Sequence, residues 1–411
     1  MRSAGITSYL LGLITRKDYK RIIGNQYYNM EDFDLKIFDS ITGEEWRQYV
    51  NKELRGATWE DLVWHIHDKV KLEPGYHADD DYKTHFLPNT LNGEWLIGES
   101  FDTKGMDPTD VNREILTALQ YGLESPKIKL DKEDEKSKVK TVISGVFTDY
   151  VELHWDLNSP KLLIDIIKYT RKLSTGEQMV KGAYLFPIVA DRDLPELLFE
   201  VNGVISEGQM GPHRVIHIAP EVEKRDDDII YGANVLAAAN AAIEFLLESR
   251  HPVDRIVRTL HVTVRCGHNL LFEIAALRAL RCCLNNLVRE YDSSYTGSVF
   301  IDAYTDSSIY TDDANYNRIS GSLISWAMAL GGADRITTIP GSLGESSFDR
   351  RTARNVHHLM RMESFLGQVI DPLSGSYYIE SATTQIAEAM WSTFKKINKD
   401  SPYFEGKPLN G

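Results

Sequence analysis

Between about residue 109 and residue 400 the sequence repeats one pattern, a short apolar run followed by a longer stretch of helical periodicity. Few folds accept that pattern. Runs at 127–130, 141–147, 183–189, 214–218, 259–264, 299–304 and 335–339 read as strands. The stretches at 109–123, 161–173, 230–247, 269–289, 316–330 and 383–397 read as helices. Parallel strands need long crossovers, and an alternation of strands with helices supplies them. About eight such units within ~290 residues favour a closed (β/α)8 TIM barrel, an α/β fold, over an open sheet. Local chemistry agrees. The 230–247 helix carries Ala233, Ala237, Ala238, Ala239, Ala241 and Ala242, which permit close packing on a sheet. Leu270, Ile274, Leu277, Leu284 and Leu287 make an apolar stripe on the next helix. Gly331-Gly332 stops the 316–330 helix, and Ser346 with Asp349 resembles a capping box for a further one.

A chain of 411 residues can bury a large core, and 42% hydrophobic with 26% charged residues is ordinary for a globular protein. The formal charge of −14 argues against a nucleic-acid or anionic-membrane surface. Cys266, Cys282 and Cys283 are too few for a disulfide framework and lack zinc-site spacing, so buried thiols in a reducing, cytoplasmic setting are expected. No run reaches the ~18 apolar residues of a membrane span. Residues 1–29 are basic around a short apolar core, and Met30 is read as the natural start. Residues 30–108 are irregular and lack periodic apolar residues for a core of their own, so this N-terminal arm needs a surface to lie on. The expected organisation is an extension (1–29), an arm (30–108), the barrel (109–400) and a tail (401–411).

In a barrel enzyme the reacting groups sit at the C-terminal strand ends, which makes Tyr304, Thr305 and Ser307 a candidate pocket. Other clusters read as structural. His65, His67 and Asp68 lack a further metal ligand at convincing spacing, and His357 and His358 point about 100° apart on a helix. The acidic runs 79–81 and 226–228 lack calcium-loop spacing. Arg350, Arg351 and Arg354 could meet a phosphate, but a salt-bridged outer face is the simpler reading. No glycine-rich phosphate-binding motif occurs.

Several blocks, in order, carry a family resemblance. Leu330-Gly331-Gly332-Ala333-Asp334, Arg351-Thr352-Ala353-Arg354-Asn355, Glu363-Ser364, Val369-Ile370-Asp371-Pro372, Gly375-Ser376-Tyr377-Tyr378 and Glu380 resemble the methylmalonyl-CoA mutase family. Ser374 departs from that family's usual glycine, and Ala276 stands where lysine is common. In the arm, Glu45-Trp46, Leu54-Arg55-Gly56-Ala57, Leu62-Val63-Trp64, Pro74-Gly75-Tyr76 and Glu94-Trp95-Leu96-Ile97 resemble the family's small subunits. The resemblance implies a TIM barrel, an arm that contacts a partner chain, and acyl-CoA chemistry with adenosylcobalamin. It also implies where working residues should stand. A Tyr-His pair would occupy Asp228 and Ile229, a glutamine Tyr304, and an asparagine and glutamate Ile339 and Leu343. Isoleucine can neither donate a hydrogen bond nor polarise a carbonyl. The family's cobalamin-binding motif, Asp-x-His-x-x-Gly, is absent from the sequence. The expectation is therefore a small, non-catalytic subunit of a heterodimeric mutase, with catalysis and adenosylcobalamin on the large subunit. Alternatives are a stand-alone acyl-CoA-binding barrel and a divergent acyl-CoA mutase using a separate cobalamin-binding chain.

Overall fold

A computed structural model describes residues 40–67, 69–80, 82–130, 136–157, 166–167, 169–170, 181–185, 202, 213–219, 228–267, 269–342 and 346–400. The expected extension at 1–29 and tail at 401–411 lie outside the described residues, as does most of the helix expected at 161–173. The chain divides into two compact units, 1–58 and 59–411. In the first, α1 (Gly43–Glu53) starts at a reciprocal cap. The Glu45 amide donates to the Thr42 hydroxyl, and the Thr42 amide donates to the Glu45 carboxylate.

The second unit opens with a hairpin, β1 (Trp64–His67) and β2 (Val70–Leu72), and then enters a barrel. Its elements run β3 (Leu96–Asp102), α2 (Pro108–Gln120), β4 (Ser125–Lys129), α3 (Lys136–Val142), β5 (Leu153–Asp156), β6 (Gly182–Leu185), β7 (His213–Arg214) and β8 (Ile216–Ile218). Next come α4 (Asp228–Glu248), α5 (Val253–Thr259), β9 (Leu260–Cys266), α6 (Leu270–Tyr291), β10 (Phe300–Thr305), α7 (Ala314–Leu330), β11 (Arg335–Thr337), α8 (Ser347–Met362) and α9 (Tyr377–Asp400). All pairings among β3–β11 are parallel, and β11 returns to β3. β7 pairs with β6 while β8 pairs with β9, so one interrupted strand closes the ring. Arg214 and His217 both contact interior groups although they are three residues apart, so the in–out alternation slips beside Val215, where the strand divides. The expected (β/α)8 fold is the fold observed.

Two expectations are corrected. The run 141–147 is not a strand. Val139, Val142 and Ile143 are buried at helical spacing around the end of α3, because a short apolar run fits either period. The strand is β5, whose His154 faces other barrel residues and breaks the apolar signature. The barrel also begins upstream of residue 109, because β3 pairs with both β11 and β4.

Residues 59–95 lie on this chain's own barrel. Val70 and Leu72 are buried, and the Lys71 amide donates to Gln385 Oε1 of α9 at 2.9 Å. The Trp64 ring meets Phe272 of α6 edge-on at 6.1 Å. Arg278 of α6 ties the arm down from below. Fully buried, it bonds the carboxylates of Asp371 and Glu380 and donates to the His85 carbonyl at 3.0 Å. The same carboxylates accept from the His85 and Leu87 amides. Arg281, also buried, bridges Asp334 and the carbonyls of Val299 and Gly332.

Candidate functional site

The barrel axis is filled by charged and aromatic side chains rather than by aliphatic layers. Arg335 of β11 reaches over β3 along the inner wall of the barrel. Its guanidinium donates to both oxygens of Asp302 on β10 (2.9 and 3.1 Å), to the Ser125 hydroxyl and carbonyl on β4 (2.9 and 2.8 Å), and to Thr337 Oγ1 at 3.0 Å. Gly98 of β3 makes the room. A Cβ there would lie 2.5 Å from Arg335 Cζ, so any side chain would displace the guanidinium. His261 of β9 stands 3.3 Å from Asp302, stacks on Phe300 and meets the His154 and His217 rings edge-on. His217 is held by Thr263 Oγ1 at 2.8 Å. Towards the N-terminal strand ends, Arg214 covers the Phe300 ring at 3.7 Å and pairs with Glu152.

Burial sets the charge states. Desolvation pushes His261 down to about 4 despite the neighbouring Asp302, and holds His154 and His217 well below the usual imidazole range. Burial alone would raise the Asp302 carboxyl, but Arg335, His261 and Lys127 together hold it well below its ordinary value. At neutral pH the centre is thus an ion pair, Arg335 with Asp302, ringed by neutral imidazoles.

The three residues expected to share a strand-end pocket are not brought together. Tyr304 is on β10, two residues beyond inward-facing Asp302. The Lys127 amine lies over its ring at 5.5 Å, and burial raises its phenol to about 12. Thr305 is buried, and its hydroxyl accepts from the Ile339 amide at 2.7 Å, a structural bond to the next loop. Ser307 begins an exposed 3-10 turn capped by Asp306. Lys127, within β4, is lowered by burial, and Asp156, at the end of β5, is raised by burial. Lys127, His154, His217, His261, Asp302 and Arg335 were missed in the sequence. Their one signal is polar residues at alternate positions within apolar runs, as in His261-x-Thr263-x-Arg265 and Asp302-x-Tyr304.

His154, His261 and Asp302 place one ligand atom each within 4.8 Å of one another. The set does not fit a divalent cation, because Arg335 already occupies both Asp302 oxygens and burial leaves the two imidazoles little compensation for added charge. Adenosylcobalamin fits no better. Of the positions where the resemblance puts cofactor and thioester contacts, Ile229 is buried in the first turn of α4, and Ile339 uses its backbone to bond Thr305 and Tyr310. Leu343 lies outside the described residues.

The arginine cluster behaves as a salt-bridged face. Arg350 and Arg354 of α8 both grip Glu99 of β3, beside a cleft of about 590 Å³ between α2 and α8. His357 is buried between Trp95 and Thr338, whereas His358 turns to the Tyr121 carbonyl. A cleft of about 1030 Å³ opens at the N-terminal strand ends around Arg214, Leu260 and Phe300, the face that in such barrels serves stability. Cys266, Cys282 and Cys283 are not joined in disulfides.

The description "Methylmalonyl-CoA mutase" belongs to the family model that matches residues 231–402. The methylmalonyl-CoA mutase small subunit of Streptomyces virginiae is 34% identical over 402 residues, covering 88% of this chain and 64% of its own. That of Propionibacterium freudenreichii subsp. shermanii is 30% identical, covering 88% and 62%. That of Porphyromonas gingivalis is 23% identical, covering 88% and 63%. The chain therefore spans somewhat less than two thirds of the length of these relatives. With the family model on residues 231–402 and small subunits aligned along most of its length, the chain is similar to the methylmalonyl-CoA mutase family.

Proposed function

We propose that the chain is a small, non-catalytic subunit of a heterodimeric methylmalonyl-CoA mutase, supporting a large subunit that interconverts methylmalonyl-CoA and succinyl-CoA with adenosylcobalamin. The observation that carries this reading is the obstructed barrel axis. An acyl thioester lying along the axis would have to displace the buried His154, His217 and His261 rings, which meet across it, and disturb the Arg335–Asp302 pair beside them. The aliphatic Ile229 and Ile339 support the same conclusion, because the first cannot stabilise developing charge on a thioester oxygen and the second has no polar side chain to hold an adenosyl group. The relatives named as small subunits support the subunit role. The arm from residue 30 is read as a partner contact up to about residue 58, since residues 59–95 are committed to this chain's own barrel. The reading places the protein in the cytoplasm.

The test uses the purified chain with and without the large mutase subunit from the same source. Alone, with adenosylcobalamin, it should turn over no methylmalonyl-CoA and give no calorimetric heat with a CoA thioester. Adding the large subunit should give a complex and turnover. Isomerisation by the isolated chain would overturn the proposal.

A further inference from the structure

The outer faces of α7 and α8 are more apolar than a solvated helix pair requires. Tyr316, Ile319 and Leu323 project from α7 at helical spacing, and Phe348, Leu359 and Met362 do so from α8. The two helices pack side by side, pinned at their N-termini by Arg318, which donates to Asp349 Oδ1 at 2.6 Å and lies 5.4 Å from the Phe348 ring. The loop after α8 prolongs the face with Phe365 and Val369.

Area and composition both set this face apart. Ile319 is 68% exposed and Met362 73%, and each of the other six shows about half of its side chain. At ~200 Å² for a large apolar side chain, the eight together present on the order of 800 Å². That exceeds the ~300–600 Å² of a typical monomer's largest patch and matches the ~800 Å² each partner contributes to a standard interface. The outward stripe of α7 contains no charged residue between Tyr316 and Leu323, exposed Arg351 and Asn355 lie between Phe348 and Leu359 on α8, and the two stripes together include aromatics and Met. Charge depletion with that enrichment marks the core of an interface rather than its rim. Arg351, 5.8 Å from the Phe348 ring, supplies a cation at the edge, in a chain whose net charge is −14.

We infer that the α7–α8 face is the surface on which the large mutase subunit docks, through an apolar helical ridge with a carboxylate opposite Arg351. This rests on the small-subunit reading, which requires a second, different chain. Two adjacent helices offer a groove into which side-chain ridges of a partner helix can seat.

The experiment measures binding of the purified large subunit to the wild-type chain and to Ile319→Glu and Leu359→Glu by biolayer interferometry, with sedimentation velocity of each chain alone. Both positions are exposed, so both variants should keep the wild-type melting temperature. Phe147→Glu, an exposed site on the loop after α3, is the control. The expected result is a loss of at least ~30-fold in affinity for each of the first two, as for a residue at the heart of an interface, with the control unchanged. Wild-type-like binding by both variants would overturn the docking site and leave the small-subunit reading standing. A wild-type chain that binds no large subunit would defeat that reading itself. Self-association of the wild type, abolished by Ile319→Glu, would assign the face to a second copy and overturn the proposed occupant.

Discussion

Replacing Arg335 with alanine tests the description of the barrel axis most directly. The guanidinium is fully buried and makes five hydrogen bonds, two of them to Asp302. Removing it leaves a carboxylate with His261 at 3.3 Å as its remaining side-chain partner among the described residues. Breaking a buried pair from one side costs about 3–5 kcal/mol, chiefly the desolvation of the orphaned charge. Against a total of ~5–15 kcal/mol that is a fifth or more of the stability. The pH dependence separates this cause from a simple cavity. In the wild type the Asp302 carboxyl is held well below its ordinary value, so its ionised form favours the folded state. In the variant burial dominates and drives that carboxyl upward, so protonation relieves the fold. The variant's deficit should therefore shrink as pH falls from 7.5 to 5. Removing both charges, Arg335→Met with Asp302→Asn, should recover most of the loss. Urea unfolding of the three proteins at both pH values is the assay. A deficit below ~1 kcal/mol, no more than an ordinary net hydrogen bond, or one that does not change with pH, would refute the ion-pair account.

Three further outcomes follow from the same structure. Stability should fall as pH drops from about 6.5 towards about 4. The unfolded chain takes up a proton at its ordinary imidazole value while buried His261 stays neutral until about 4, which is worth roughly 3 kcal/mol for that residue alone; a flat urea midpoint between pH 7 and 5 would count against neutral imidazoles. Arg278→Ala should cost about 3–5 kcal/mol and release the segment that its bond to the His85 carbonyl secures, seen as lost amide protection at His85 and Leu87. Gly98→Ala should destabilise by ~1–3 kcal/mol through overpacking, because the new methyl meets both the Arg335 guanidinium and Thr337 Oγ1 at 2.5 Å, and Arg335→Met should relieve only the first of these clashes in the double variant, as urea unfolding would show.

Much of the barrel was legible because its strands at 214–218, 259–264, 299–304 and 335–339 are apolar on the face that packs under the helices. β3 and β5 were hidden for different reasons. Leu-Ile-Gly-Glu-Ser-Phe-Asp has no clean period because Glu99 sits on the helix side, bound by Arg350 and Arg354 of α8, whereas Leu-His-Trp-Asp alternates apolar and polar residues, which reads as a half-solvated edge. The same cause hid the axis. Each of Lys127, His154, His261, Asp302 and Arg335 alone resembles a surface residue; strand pairing sets His261, Asp302 and Arg335 side by side, and ring closure brings His154 to them. The strand-end pocket at Tyr304, Thr305 and Ser307 was read from position along the chain. Consecutive residues on a strand point to opposite sides, so Tyr304 and Thr305 cannot line one pocket. Arg278 gave no sign of its role, because its partners lie near residues 85, 371 and 380.

The way the axis is closed bears on what the barrel can still do. Aliphatic substitution of working groups, as at Ile229 and Ile339, would by itself leave a quiet but open channel. The structure instead fills the interior with buried imidazoles and braces one wall with a guanidinium bonded to three strands, β4, β10 and β11, and accommodated by a glycine on a fourth, β3. Such a brace adds little net stability over well-packed apolar residues, since desolvation of the ions offsets most of their attraction. Its distinctive physical property is directional. It fixes the relative register of the strands it joins and holds the ring to one cross-section, where an aliphatic filling would tolerate repacking. A subunit that presents helices on the outside of the ring to a partner needs that constancy of shape more than it needs an interior. Arg335→Met with Asp302→Asn should thus retain most of its stability yet bind the large subunit less well, the loss appearing in the dissociation rate. Binding kinetics indistinguishable from wild type would separate the brace from the interface and leave the ion pair a filler of space.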